Sequence, residues 1–81
     1  MDLDFELIEQ RRSEECGCPE EEFIIGMCYF TAHLEENGSC DLFLDMGDWD
    51  DERTGISCDG TVEGMRQKAR EWAEEIHNAH E

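Results

Sequence analysis

The chain has 81 residues, 23 acids against 6 bases, and a net charge of −17. That length makes one domain, residues 1–81, with a small core. Such a charge repels nucleic acid and membrane surfaces and attracts basic ones, so direct nucleic-acid binding is disfavoured.

The excess is uneven. Residues 1–52 carry 17 acids and 2 bases, and residues 53–81 carry 6 acids and 4 bases. No apolar run is long enough to span a bilayer. The opening "MDLDFELIEQRR" lacks the basic and then apolar regions of a secretory signal, so a cytoplasmic protein is expected. A mean hydropathy of −0.72 would suit a disordered chain. The runs "FIIGMCYFTAHL" and "CDLFLDM", with a single proline, argue instead for a folded domain.

In residues 2–11, Leu3, Phe5 and Leu7 alternate with acids, the period of a half-buried strand. Leu, Glu, Gln and Arg are also good helix formers, which leaves a helix as the rival reading. Residues 13–22, "SEECGCPEEE", read as a solvated loop punctuated by Gly17 and Pro19. Residues 23–34 read as the main strand, rich in Ile, Phe, Tyr and Thr. Next comes "EENGSC", where Asn-Gly between two apolar runs signals a hairpin. A two-residue loop would pair Leu34 with Asp41 and set acids on the apolar face. A three-residue loop, Glu36-Asn37-Gly38 with Gly38 left-handed, pairs Leu34 with Cys40, Ala32 with Leu42, Phe30 with Leu44 and Cys28 with Met46. A one-residue slip swaps every side chain to the other face, so the second register is expected.

Residues 47–55 read as an acidic turn and 55–58 as a short strand. The rest reads as a helix with Thr61 as its N-cap. Val62, Met65, Ala69, Trp72, Ala73 and Ile76 make its apolar stripe. Gly64 weakens this helix unless something packs closely there. The expected fold is α+β: an antiparallel sheet of three to four strands packed on one C-terminal helix, a two-layer sandwich.

One helix covers one sheet face. In this register Ile25, Met27, Tyr29, Thr31 and His33 point away from it, joined by Phe43 between Asp41 and Asp45. Uncovered, such a patch is an interface. The alternatives are an N-terminal segment folded over it, or a homodimer.

The densest acids lie in "FLDMGDWDDERTG": Asp45, Asp48, Asp50, Asp51 and Glu52. An EF-hand loop fits them poorly. Starting at Asp48 puts Arg53 at the glycine position, and starting at Asp50 ends on Thr61. Cys16 and Cys18 leave one residue between thiols where structural zinc sites leave two to four. Further ligands could come from Cys40, Cys58, His77 or His80. However, Cys28, Cys40 and Cys58 fall on the core face, where free Cys behaves as a small hydrophobe. Cys16 and Cys18 are expected to be exposed. His77 and His80 share the last helical turn, where a cation suits the helix dipole. No cofactor is expected. A glycine-rich phosphate loop and a nucleophile elbow are both missing, so the chain does not read as an enzyme.

The acids then serve as displayed charge, with Trp49 as an aromatic anchor. Glu20, Glu21 and Glu22 form a second acidic patch, and Tyr29 and Phe43 the apolar part of the interface. Small size, strong acidity, the lack of a catalytic motif and an α+β meander with one helix together resemble phage-encoded anti-CRISPR and DNA-mimic inhibitors. That resemblance is one of composition and layout over the whole chain, and no residue's role carries over with it. It implies a stoichiometric inhibitor in the host cell cytoplasm, monomeric or homodimeric, bound to a CRISPR effector or nuclease through a basic, nucleic-acid-binding surface. "GTVEGMRQKAREW" after short strands also resembles HicB-type antitoxin domains, which implies a toxin as partner. The alternative from a different class is a small cysteine-based zinc or redox module.

Overall fold

The computed structural model describes residues 3–79. Five strands precede one helix: β1 (Phe5–Arg12), β2 (Pro19–Ile25), β3 (Cys28–Leu34), β4 (Ser39–Asp45), β5 (Asp50–Ser57) and α1 (Val62–Ala79). The strands form one antiparallel meander in the order β1-β2-β3-β4-β5. The fold is α+β as expected, with five strands rather than three to four. No described helix is long and apolar enough to cross a membrane.

The extra strand comes from splitting residues 23–34. Gly26 adopts a φ of 62°, and with Met27 it closes a two-residue hairpin in which Ile25 pairs with Cys28. A Gly-X pair with positive φ at its first position is a II′ hairpin turn. The turn corrects one expectation directly. Ile25 joins the core face and is fully buried, while Met27 sits exposed in the turn. The ring of His77 lies where a Gly26 side chain would go, and its Nε2 accepts the Met27 N–H at 3.2 Å. His77 therefore serves the hairpin as a hydrogen-bond acceptor. His80 lies outside the described residues.

The expected loop at 13–22 ends at Cys18, because Pro19 opens β2. Proline is tolerated there, at the first residue of a strand. The β3–β4 hairpin has the expected register: Leu34 opposite Cys40, Ala32 opposite Leu42, Phe30 opposite Leu44. Gly38, at φ 86°, closes it. Cys28 and Met46 fall beyond the paired residues. β1 is a strand, not a helix, and a bulge at Ile8 shifts its register between Leu7 and Glu9. β1 and β5 are the two sheet edges. Both are rich in charge, which discourages pairing with another sheet.

α1 crosses β2, β3 and β4. Its buried residues are Met65, Ala69, Trp72, Ala73 and Ile76. They meet Phe23, Ile25, Phe30, Ala32, Leu42 and Leu44, with Cys28, Cys40 and Cys58 filling small gaps in the same core. Burial, with Cys58 beside it, pushes the Cys40 thiol up to about 12, so it stays protonated and apolar in character.

Thr61 caps the helix. Its Oγ1 accepts the Gly64 N–H at 2.9 Å and donates to Asp59 at 2.6 Å. Gly64 has its close neighbour: a Cβ there would collide with the Cys58 carbonyl and the Asp59 carboxylate. In an open helix, Gly→Ala gains up to about 1 kcal/mol. Here Gly64→Ala is expected to lose about 1–3 kcal/mol through overpacking. Urea unfolding reads the sign.

Candidate functional site

The sheet face opposite α1 is built in cross-strand rows. One row runs Ile24–Tyr29–Asp45–Asp50, the next Glu9–Glu22–Thr31–Phe43–Glu52, and the third Arg11–Glu20–His33–Asp41. No described element packs over them. The N-terminal segment, one expected cover, instead extends the sheet as β1. Phe43 is 41% exposed in the middle row. Tyr29, Thr31, Phe43, Asp45, Asp50 and Glu52 line a shallow hollow.

The two halves of this face differ electrostatically. On the β1–β2 half, the carboxylates have partners. Arg11 bridges Glu9 at 3.0 Å, Glu20 at 3.1 Å and Glu22 at 2.9 Å. Tyr29 donates its hydroxyl to Glu22 at 2.6 Å. That hydroxyl is the largest of the influences holding the Glu22 carboxyl down at about 2. On the β4–β5 half, among the described residues, no ion pair involves Asp45, Asp48, Asp50, Asp51 or Glu52. Asp45 and Asp50 face each other directly across the two strands, a like-charge pair that destabilises the sheet. The nearest base in sequence, Arg53, turns the other way, with its guanidinium 4.3 Å over the Trp72 ring and 2.9 Å from Glu75.

The ladder expected on a turn is thus mostly a strand. Asp50 and Glu52 share the open face with Asp45, while Asp51, opposite Leu44, lies on the other face of β5. An extended, paired strand cannot wrap a cation, which disposes of both EF-hand frames. Asp48 and Trp49 sit in the β4–β5 turn, with Trp49 47% exposed.

The Glu20–Glu22 patch is divided by strand alternation. Glu20 and Glu22 face outward. Glu21 points to the helix side, is 1% exposed, and is held by Arg66 and Gln10. It is not displayed to any partner. The sequence reading missed Glu9 and Arg11 as members of the open face. The bulge at Ile8 inverts the alternation that Leu3, Phe5 and Leu7 begin.

A second cluster lies at the end of this face. The Cys16 and Cys18 sulfurs and a ring nitrogen of His33 all fall within 4.8 Å of one another. Cys18 is buried, contrary to expectation, and Cys16 is exposed. Cys40 and Cys58 stay in the core and His77 serves the β2–β3 turn, so none of these joins the pair. Comparison of the chain with protein-family models, curated proteins and solved structures finds no match in any of the three.

Proposed function

We propose that the protein is a stoichiometric inhibitor that docks its open sheet face on a basic, nucleic-acid-binding surface of a defence complex, as anti-CRISPR and DNA-mimic proteins do. The observation that carries this reading is the β4–β5 half of that face. Asp45, Asp50 and Glu52 have no cationic partner among the described residues and surround the exposed Phe43. The fold tolerates the Asp45–Asp50 repulsion, and a basic partner would relieve it. Acids two apart on a strand stand roughly 7 Å from each other, and neighbouring strands roughly 4.8 Å. The result is a rigid lattice of negative charge, and duplex DNA is likewise a fixed array, with one charge per roughly 1.7 Å of axis. Phe43, Tyr29 and Trp49 supply aromatic anchors. A second copy of the same face would set acids against acids, so the interface favours a basic partner over self-association.

The test is affinity capture from a bacterial lysate containing a CRISPR effector, with the parent and a D50K/E52K variant as baits. The parent is expected to retain the effector, and excess target DNA to displace it. The variant is expected to associate on the order of tenfold to a thousandfold more slowly, since steering of this kind acts on the on-rate. It should also unfold at an equal or higher temperature, because a lysine at position 50 faces Asp45 as an opposite charge. Full retention by a folded double variant would remove the charge-display reading.

A further inference from the structure

We propose that Cys16, Cys18 and His33 bind a zinc ion, with the fourth position open to water. This goes beyond the inhibitor reading and does not depend on it.

The donors are spaced for the ion. Zinc takes thiolate sulfur at about 2.3 Å and imidazole nitrogen at about 2.0 Å, so tetrahedral donors stand about 3.5–3.8 Å apart. Cys16 Sγ lies 3.8 Å from His33 Nε2, and both sulfurs and a ring nitrogen of His33 lie within 4.8 Å of one another.

The histidine is oriented for ligation. Its Nδ1 is 3.1 Å from Glu20 Oε1. A proton donated there leaves the Nε2 lone pair facing the two thiols. A carboxylate on the far nitrogen is the partner that metal-bound histidines ordinarily have.

The loop is shaped in advance. Ser13 N–H donates to the Cys18 carbonyl at 2.8 Å, and Gly17 N–H donates to the Ser13 carbonyl at 2.8 Å. Arg12 holds the Gly17 carbonyl at 2.9 Å. Gly17, at φ 69°, takes the left-handed conformation. That conformation lets thiols only one residue apart turn to the same side, and it answers the objection that the Cys-x-Cys spacing is short. Pairing of Glu20 with His33 in the β2–β3 ladder sets the loop over the end of β3. Two thiolates offset the charge of the ion, and sulfur and imidazole select zinc over magnesium or calcium.

The experiment uses the full chain, purified reduced, and titrated with Co²⁺ in excess Mg²⁺ to occupy surface carboxylates. One equivalent is expected to bind, with thiolate-to-cobalt charge-transfer absorption and a tetrahedral ligand-field spectrum, and Zn²⁺ should displace it. His33→Ala and the C16S/C18S pair should each weaken binding more than tenfold while far-ultraviolet circular dichroism stays unchanged. Glu20→Gln should weaken it roughly tenfold. The D50K/E52K variant should bind as the parent does, which keeps this result separate from the inhibitor test. Absence of the charge-transfer band, or equal cobalt uptake by C16S/C18S, overturns the proposal. Failure of the chain to take up cobalt when both thiols are fully reduced overturns it too.

Discussion

Replacing Arg66 with alanine is expected to lower stability by about 3 kcal/mol at neutral pH, the low end for breaking a buried ion pair because Arg66 itself is partly exposed. The whole domain holds roughly 4–12 kcal/mol, so the variant is expected to be severely weakened. Glu21 sits in the core with its oxygens held by Arg66 Nε at 2.7 Å, Arg66 Nη2 at 2.5 Å and Gln10 at 2.6 Å. Burial alone pushes the Glu21 carboxyl up, but the Arg66 and Gln10 hydrogen bonds outweigh it and hold the group below its ordinary value. In the parent, this contribution is present above the unfolded pKa and is lost as pH falls through the lower, folded one. Without Arg66, burial prevails and the folded pKa rises. The variant's penalty is then absent below the unfolded pKa and grows as pH rises toward the new folded value. Urea unfolding at pH 4 and pH 7 should show the smaller loss at pH 4. Equal losses would mean that Arg66 acts through packing on Phe5, whose ring centroid is 5.2 Å from its guanidinium. An E21M/R66M double replacement should come close to the parent, because it removes both charges together.

Phe30→Ala is expected to cost about 3–5 kcal/mol. Phe30 is fully buried, and its ring lies 5.8 Å from both Phe23 and Trp72. Phe23 in turn meets Phe5 at 5.2 Å. This chain of rings joins the β1 edge to α1 through the middle of the sheet. Truncating its central member opens a cavity that β2, β3 and α1 cannot close together. Phe30→Leu, which keeps most of the volume, should lose about 1–2 kcal/mol. The two midpoints in urea give the comparison.

Legibility in the sequence followed local chemistry. The β3–β4 register was readable because Asn37-Gly38 marks a turn and the alternative put acids among the apolar residues. The helix was readable from its stripe and from Thr61. The β2–β3 turn was not, because "IIGMCY" carries apolar residues straight through it and only Gly26 hints at a reversal. Three identical acids in a row hid the alternation that buries Glu21, since nothing in "EEE" marks the middle one. Its partner Arg66 lies 45 positions away. His33 was legible as a residue of the open face. Its meeting with Cys16 and Cys18 was not, because that depends on β2 pairing back along β3. The acidic ladder was legible as charge. That Asp50 and Glu52 share a face with Asp45, and Asp51 does not, required the β4–β5 register.

The position of α1 has a consequence for synthesis. The meander joins only neighbours in the chain, so each strand can pair as soon as the next one emerges, and such local contacts form quickly. The apolar side of that sheet, from Phe23 to Leu44, has no cover until α1, the last element in chain order, has also left the ribosome. The nascent sheet therefore passes through an interval with its greasy side bare, when association with other chains competes with folding. Throughout that interval most of the acids are already present, since 17 of the 23 lie in residues 1–52. Mutual repulsion between nascent chains is then strongest when the protein most needs to be kept apart from its own copies.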